Sequence, residues 1–217
     1  MAERGERSLE ASTDRCRAWP EQAEGPYHRD LDTFPRDVAG DRLGVPIHLG
    51  IKLVASDAAT PVNGAVVEIW QCDALGRYSG FPPPDPGAEV VSSASAPRYE
   101  SPPDEWFLRG RQRTDESGLC GFRTIYPGWY PGRTVHIHLR AAVGTEIFTS
   151  QLYFPEEVTD TVFSQPPYRE RSGRDTTNAT DEIFAAGGAA AVLDLEPDGD
   201  GYRAGMCFIL APSDESP

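Results

Sequence analysis

Short runs of alternating apolar and polar residues, each bounded by glycine or proline, recur along most of this 217-residue chain. Alternation with a period of two is typical of strands that bury one face, and the runs are not separated by the helical patterns that a βαβ fold requires. The sequence therefore predicts an all-β protein, a β-sandwich with an N-terminal arm and long irregular loops. The predicted strands are Ile47–Val54, Ala65–Gln71, Phe107–Thr114, Leu119–Thr124, Thr134–Ala141, Ile147–Phe154 and Tyr202–Leu210.

The N-terminal part of the chain differs in composition from the rest. Residues 1–42 are polar and charged, and we interpret them as an arm that wraps a single β-sandwich domain at 43–217, with the first dozen residues frayed. The motif Gly25-Pro26-Tyr27 is the compact feature of this arm.

Long loops interrupt the predicted strands. Residues 82–104 are rich in Pro, Ser and Ala, and a segment of this length predicts a rim or a lid. Residues 155–180 are irregular, with one short helix expected near Pro155–Thr161. The paired glycines 187 and 188 argue against a stable helix over Asp181–Ala191.

The charge balance restricts the partners of the protein. A formal net charge of -14 would repel nucleic acids and anionic membranes, so neither is expected to bind. No apolar run approaches the length of a membrane span, and the first residues lack the apolar core of a secretory signal. We therefore expect a cytoplasmic protein, with export followed by removal of a signal as the alternative.

The four cysteines are Cys16, Cys72, Cys120 and Cys207, and none of them forms a CxxC pair. This spacing is unlike that of a zinc knuckle. Cys72 and Cys120 lie beside predicted strand ends, where they could form a disulfide; the alternative is that both are buried free thiols.

The segment Tyr126–Leu139, YPGWYPGRTVHIHL, carries the strongest chemical signal. In a strand, the side chains of His136 and His138 leave one face while Ile137 enters the other. Paired imidazoles on one rigid face are the beginning of a metal site. Nearby phenols at Tyr130 and Tyr78 would add hard anionic oxygen donors, which suit a trivalent ion such as Fe(III).

Five segments, in this order along the chain, resemble the intradiol ring-cleavage dioxygenases, the family of protocatechuate 3,4-dioxygenase and catechol 1,2-dioxygenase. They are PVNGAVVEIWQCDALGRYSG at 61–80, FLRGRQRTDESG at 107–118, FRTIYPGWYP at 122–131, GRTVHIH at 132–138 and TSQLYF at 149–154. The resemblance covers about residues 24–154, and the strand at 202–210 more loosely.

The resemblance implies one Fe(III) per chain, with Tyr78, Tyr130, His136 and His138 as its ligands. The implied reaction opens a catechol ring between its two hydroxylated carbons with O2 and gives a cis,cis-muconate-type diacid. Tyr130 would leave the iron and accept a proton when the catechol binds. Arg133 would stabilise the charged ring carbon, and Gln151 would hydrogen-bond the same intermediate.

The resemblance also indicates a substrate pocket lined by Pro26, Tyr27, Phe81 and Trp129, and it leaves a homo-oligomer open. Only five residues separate Tyr130 from His136, fewer than in the well-studied relatives. A shorter loop predicts a shallower, more open pocket that admits bulkier catechols.

Two other kinds of protein compete with this interpretation. A transthyretin-like β-sandwich that only binds a partner shares the GxPVxGAxVxxW pattern, but it has no need for two tyrosines and the HxH pair together. A zinc hydrolase using His136, His138 and His48 leaves both tyrosines unexplained and lacks a well-placed carboxylate base.

Overall fold

The structure is a computed structural model that describes residues 15–30, 32–82 and 106–211. The predicted frayed start and nearly all of the predicted rim or lid at 82–104 lie outside these residues.

Two β-sheets form the protein. The first is mixed, with the strand order β1-β9-β2-β5 and with β8 also paired to β9. Its central strands β2 and β9 run parallel, and β5 runs antiparallel to β2. The strands of this sheet are β1 (Cys16–Ala18), β2 (Pro46–Val54), β5 (Leu119–Ile125), β8 (Asp194–Asp198) and β9 (Gly201–Ile209).

The second sheet is antiparallel, with the order β4-β3-β6-β7. Neighbouring strands β6 and β7 are joined by a tight turn, whereas β3 and β4 are connected through the long segment between residues 70 and 109. Its strands are β3 (Val66–Trp70), β4 (Arg109–Arg113), β6 (His136–Val143) and β7 (Glu146–Tyr153).

The core lies between the two sheets. Alternate residues of β2, from Ile47 to Leu53, are fully buried, while His48 between them is exposed. From the opposite sheet, Ile69, Ile137 and Leu139 enter the same core. Burying such side chains contributes about 1.5–3 kcal/mol each. The predicted β-sandwich is confirmed, and each predicted strand corresponds to an observed one.

In the part of the chain that the structure describes, the helices are short and lie in the connection after β7. Helix α1 (Glu156–Phe163) begins where the sequence predicts a short helix. The expectation for Asp181–Ala191 is partly wrong, because α2 (Glu182–Ala185) forms one turn and Gly188–Ala191 forms a 3-10 turn. Asp181 caps α2, and Gly187 adopts a φ of 105° between the two turns, so the glycines end the helix without preventing it.

Cys72 and Cys120 are both buried free thiols, which is one of the two possibilities that their positions in the sequence leave open. Cys120 belongs to β5 of the first sheet, whereas Cys72 follows β3 of the second and its thiol faces the Gly128 carbonyl. The disulfide instead joins Cys16 to Cys207, which are direct partners in the parallel pair of β1 and β9.

This disulfide fixes the start of the arm to the first sheet. From there residues 19–30 cross to the second sheet, where the Gln22 amide N–H bonds the Thr149 carbonyl at 2.9 Å. The boundary predicted at residue 42 stays a prediction. Among the described residues, no helix has the length and apolar character needed to cross a membrane.

Candidate metal centre

The register of the second sheet brings three side chains of the site into one row. Trp70 of β3 pairs with His138 of β6, and His138 pairs with Gln151 of β7. Directly opposed residues on one sheet face are in contact distance. The Trp70 and His138 rings stack with centroids 4.8 Å apart and planes 1° from parallel. All three residues are fully buried. The His138 ring is therefore held flat against Trp70 of the neighbouring strand, and the arm, described below, covers it.

The two imidazoles of β6 converge at their Nε2 atoms, which lie 3.1 Å apart. His136 Nδ1 lies 2.7 Å from the Thr134 carbonyl oxygen. Because a carbonyl oxygen only accepts, the proton of neutral His136 sits on Nδ1 and the Nε2 lone pair faces the site. Burial and the neighbouring Arg133 lower the pKa of His136 to about 3. Burial and His136 lower the pKa of His138 well below its usual value. Both imidazoles are thus neutral at pH 7 and suited to bind a metal ion.

Two phenols complete the cluster from separate loops. Tyr130 Oη lies 3.1 Å from His136 Nε2, at the end of the turn that precedes β6. Tyr78 follows β3, and its ring centroid is 5.6 Å from that of Tyr130. Burial raises the pKa of both phenols, so they stay protonated unless a cation displaces the proton.

Tyr78 Oη is the unusual atom of this cluster. It is buried and makes no hydrogen bond of good geometry in the described part of the chain, although the Tyr130 phenol is close enough to interact with it, and His138 Nδ1 likewise has no such bond. A buried hydroxyl without a partner costs about 1–3 kcal/mol. Such a cost at a site of converging donors indicates that the oxygen is placed for a group that binds there.

The arm covers this cluster. Gly25, with a φ of 76°, packs so closely that an added Cβ would lie 3.0 Å from His138 Cε1. The Tyr27 ring stacks on Tyr78 at 4.2 Å, and Arg109 donates to the Tyr27 carbonyl at 3.0 Å. Gln151 Nε2 donates to the Ala23 carbonyl at 2.9 Å. The arm is therefore a wall of the site rather than a tail.

Comparison with known proteins agrees with the geometry of the site. The model of a protein family described as "Dioxygenase" matches residues 20–166. The protocatechuate 3,4-dioxygenase beta chain of Burkholderia cepacia is 31% identical over 180 residues, which cover 75% of this chain and 69% of that protein. This chain belongs to the intradiol ring-cleavage dioxygenases. The resemblance noted in the sequence is confirmed, and so is the prediction of an enzyme.

Solved structures agree with this assignment. An intradiol ring-cleavage dioxygenase from Tetranychus urticae is 30% identical, with a TM-score of 0.79 and coverage of 92% of this chain and 98% of that one. Catechol 1,2-dioxygenase from Pseudomonas arvilla C-1, at 20% identity and a TM-score of 0.58, shares the fold and is covered over 68% of its length.

The donor set of the dioxygenase fits a trivalent metal ion. A first-row metal binds imidazole nitrogen at about 2.1 Å, so two such nitrogens at a right angle lie about 3 Å apart, close to the observed separation. In the described ranges, no group of three or more His, Cys, Asp or Glu side chains could hold a metal. A metal centre here depends on the oxygens of Tyr78 and Tyr130. The need for these two phenol oxygens argues against the zinc hydrolase. His48 also argues against it, because it is exposed on the first sheet and its Nδ1 lies 3.0 Å from Asp198 Oδ2.

The structure separates the predicted pocket residues of the dioxygenase into two groups. Tyr27 and Phe81 pack together beside Tyr78, with ring centroids 5.1 Å apart, and half-buried Pro26 precedes Tyr27. Trp129 instead packs with the core, donates to the Arg171 carbonyl at 3.3 Å and lies under the Arg171 guanidinium. The pocket roles of all four stay predictions.

Arg133 and Gln151, the predicted catalytic pair, contact each other. Arg133 Nη2 donates to Gln151 Oε1 at 2.5 Å, and Nη1 lies 3.5 Å from His136 Nε2. Tyr153 donates to Gln151 Oε1 at 3.1 Å. The guanidinium thus faces the metal ligands from the side of β7, and its catalytic role stays a prediction.

Sequence reasoning missed several side chains of this site. Tyr153 could have been found, because it follows Gln151 by two residues in one strand and shares its face. Trp70 required the register of β3 and β6. Asp181, which accepts from Arg133 Nε at 2.8 Å, lies 48 residues away in an irregular segment that carries no periodic signal.

Proposed function

We propose that this dioxygenase is Fe(III)-dependent and cleaves a catechol between its two hydroxylated carbons with O2, giving a cis,cis-muconate-type diacid. One Fe(III) per chain would be held by Tyr78, Tyr130, His136 and His138. The observation that carries the proposal is the convergence of two imidazole lone pairs and two buried phenols around Tyr78 Oη, which makes no hydrogen bond of good geometry in the described residues.

The residues around the centre have separate tasks in this proposal. When bound, the ferric ion would polarise the catecholate and make its ring susceptible to O2. Tyr130 Oη, 3.1 Å from His136 Nε2, is placed to accept a proton from the catechol. Arg133 and Gln151 offer donors on the β7 side, where charge on the ring carbon would be stabilised.

Substrate orientation comes from the aromatic wall. Tyr27 stacks on Tyr78 and meets Phe81 edge to face, so a flat ring would be held by stacking. With five residues between Tyr130 and His136, we expect the enzyme to accept catechols bulkier than catechol itself. Turnover of a panel of catechol, protocatechuate, hydroxyquinol and larger catechols tests this preference.

The function is tested by adding Fe(III) to the purified protein and recording the visible spectrum. We expect a broad tyrosinate-to-Fe(III) charge-transfer band that moves to longer wavelength when catechol is added without oxygen, followed by ring cleavage once oxygen enters. A protein that stays colourless after iron loading would leave the non-enzymatic binding module as the better description.

We also propose that the protein works in an oxidising compartment, the alternative to the expected cytoplasmic location. The support is the Cys16–Cys207 disulfide, since such bonds persist mainly outside the reducing cytosol. Reduction is expected to lower the free energy of unfolding by about 2–5 kcal/mol. Mass spectrometry of protein alkylated before cell lysis tests the location: a largely reduced Cys16–Cys207 pair would contradict it.

A further inference from the structure

Arg133 is held on two sides. Its Nη atoms face Gln151 and His136, while its Nε donates to Asp181 Oδ2 at 2.8 Å. Arg133 is buried, with 7% of its surface exposed. The direction of the Nη pair is therefore set by what holds Nε.

Asp181 is held in place by backbone amides as well as by Arg133. Its Oδ2 also accepts from the Thr134 amide at 2.8 Å, and its Oδ1 accepts from the amides of Ile183 and Phe184 at 2.8 Å. Its side chain is fully buried. The carboxylate thus links the first turn of α2 to Arg133 and Thr134, which lie shortly before β6. It has little freedom to move.

The ionisation of Asp181 is secure. Burial raises the pKa of this carboxyl, but Arg133 and the backbone amides outweigh burial and hold the pKa below its usual value. At pH 7 the group is a charged, fourfold acceptor. An amide in its place would turn a donor either toward Arg133 Nε and the Thr134 amide or toward the two amides of α2.

We propose that Asp181 is a positioning residue for ring cleavage. It holds the Arg133 guanidinium so that its Nη atoms face His136 and Gln151, beside the place where the reacting carbon of the catechol ring would lie. This inference rests on the proposed function. It differs from a merely structural role, because it requires that Asp181 act on catalysis through Arg133.

A double-mutant cycle tests the proposal in the iron-loaded protein. We expect Asp181→Asn to lower kcat about 10- to 100-fold, the order of loss that misplacement of a catalytic group causes. KM, iron content and the charge-transfer band should change little. In an Arg133→Gln background, Asp181→Asn should lower kcat no further. The control is Asp175→Asn, which removes the charge of a carboxylate that accepts from the Gly132 amide but keeps one acceptor oxygen, and it should leave kcat within a factor of about two.

Asp181→Ser serves if the asparagine variant folds poorly, because serine can still cap α2 but cannot reach as far toward Arg133. An equal loss of kcat in both Arg133 backgrounds, or loss of iron from the Asp181 variants, would overturn the proposal.

A measurement independent of turnover separates this inference from the proposed function. The Arg133 Nε–H signal in 15N NMR should exchange slowly with water in the wild type and at least tenfold faster in Asp181→Ser, whether or not any catechol is cleaved. Equal exchange in both proteins would overturn the positioning role. A wild type that cleaves no catechol would refute the proposed function alone.

Discussion

Tyr78→Phe is expected to make the iron-free protein more stable while it destroys the iron centre. The substitution removes a buried hydroxyl that makes no hydrogen bond of good geometry in the described residues, so the free energy of unfolding should rise by about 1–3 kcal/mol. It also removes one of the two phenolates that would neutralise Fe(III). We expect kcat/KM to fall by at least about 100-fold and the charge-transfer band to weaken and move.

Tyr126→Phe is the matched control, because Tyr126 is equally buried but its hydroxyl lies 2.7 Å from Thr159 Oγ1. Here stability should fall by about 1 kcal/mol and activity should stay. Urea unfolding of the iron-free variants, with ring cleavage assayed after iron loading, measures both effects. If Tyr78→Phe bound iron with unchanged colour, Tyr78 would not be a ligand; if it proved less stable than the wild type, the Tyr78 hydroxyl would have a stabilising partner within the protein.

Loss of the hydroxyl is expected to raise the free energy of unfolding at Tyr78 and to lower it at Tyr126. This difference reflects how natural proteins tolerate a functional site. A group that must stay free for a ligand cannot also be satisfied by the protein, so it lowers stability until the ligand binds. Tyr78 Oη has this character. The core between the sheets, from Ile47 to Leu53 on one side and Ile137 on the other, supplies the stability that makes the cost tolerable.

The strands and the shared face of the two imidazoles could be predicted because both depend on local spacing. Alternation is imposed by the pleat, so β2 and β6 are visible in the sequence, and the same period places His136 and His138 on one face. The two phenols lie on loops, and only the resemblance to a known family connected them with the imidazoles.

Features that depend on distant parts of the chain could not be predicted. Strand β1 has three residues, and its partner strand lies 191 residues away at the disulfide, so no local pattern announces it. Cys72 and Cys120 both lie near strand ends, but the strands belong to different sheets, and the sequence could not decide between a disulfide and two free thiols. Asp181 was missed for the same reason, since its contact with Arg133 exists only after the connection following β7 folds back.

Arg133→Lys is expected to lower kcat about 100- to 1,000-fold while the iron centre forms normally. Lysine keeps the positive charge, so Asp181 is not left buried without a counter-charge. A single ammonium cannot donate to Asp181, to Gln151 and toward His136 at once, as the guanidinium does. The donor that is lost is one that would face the reacting ring in the proposed reaction, and removal of one such donor costs about 2.7–4 kcal/mol of transition-state stabilisation.

The effect should appear after substrate binding. The anaerobic catechol complex of Arg133→Lys should form with the wild-type spectral shift and a similar affinity, and its decay on mixing with oxygen should be slow. Arg174→Lys is the control, because Arg174 is paired with Glu156 beside Phe163 and contacts none of the predicted metal ligands. Stopped-flow absorbance separates binding from ring cleavage. A slow step confined to catechol binding would mean that Arg133 orients the substrate rather than stabilising charge on the ring carbon, whereas unchanged kinetics would remove Arg133 from the reaction altogether.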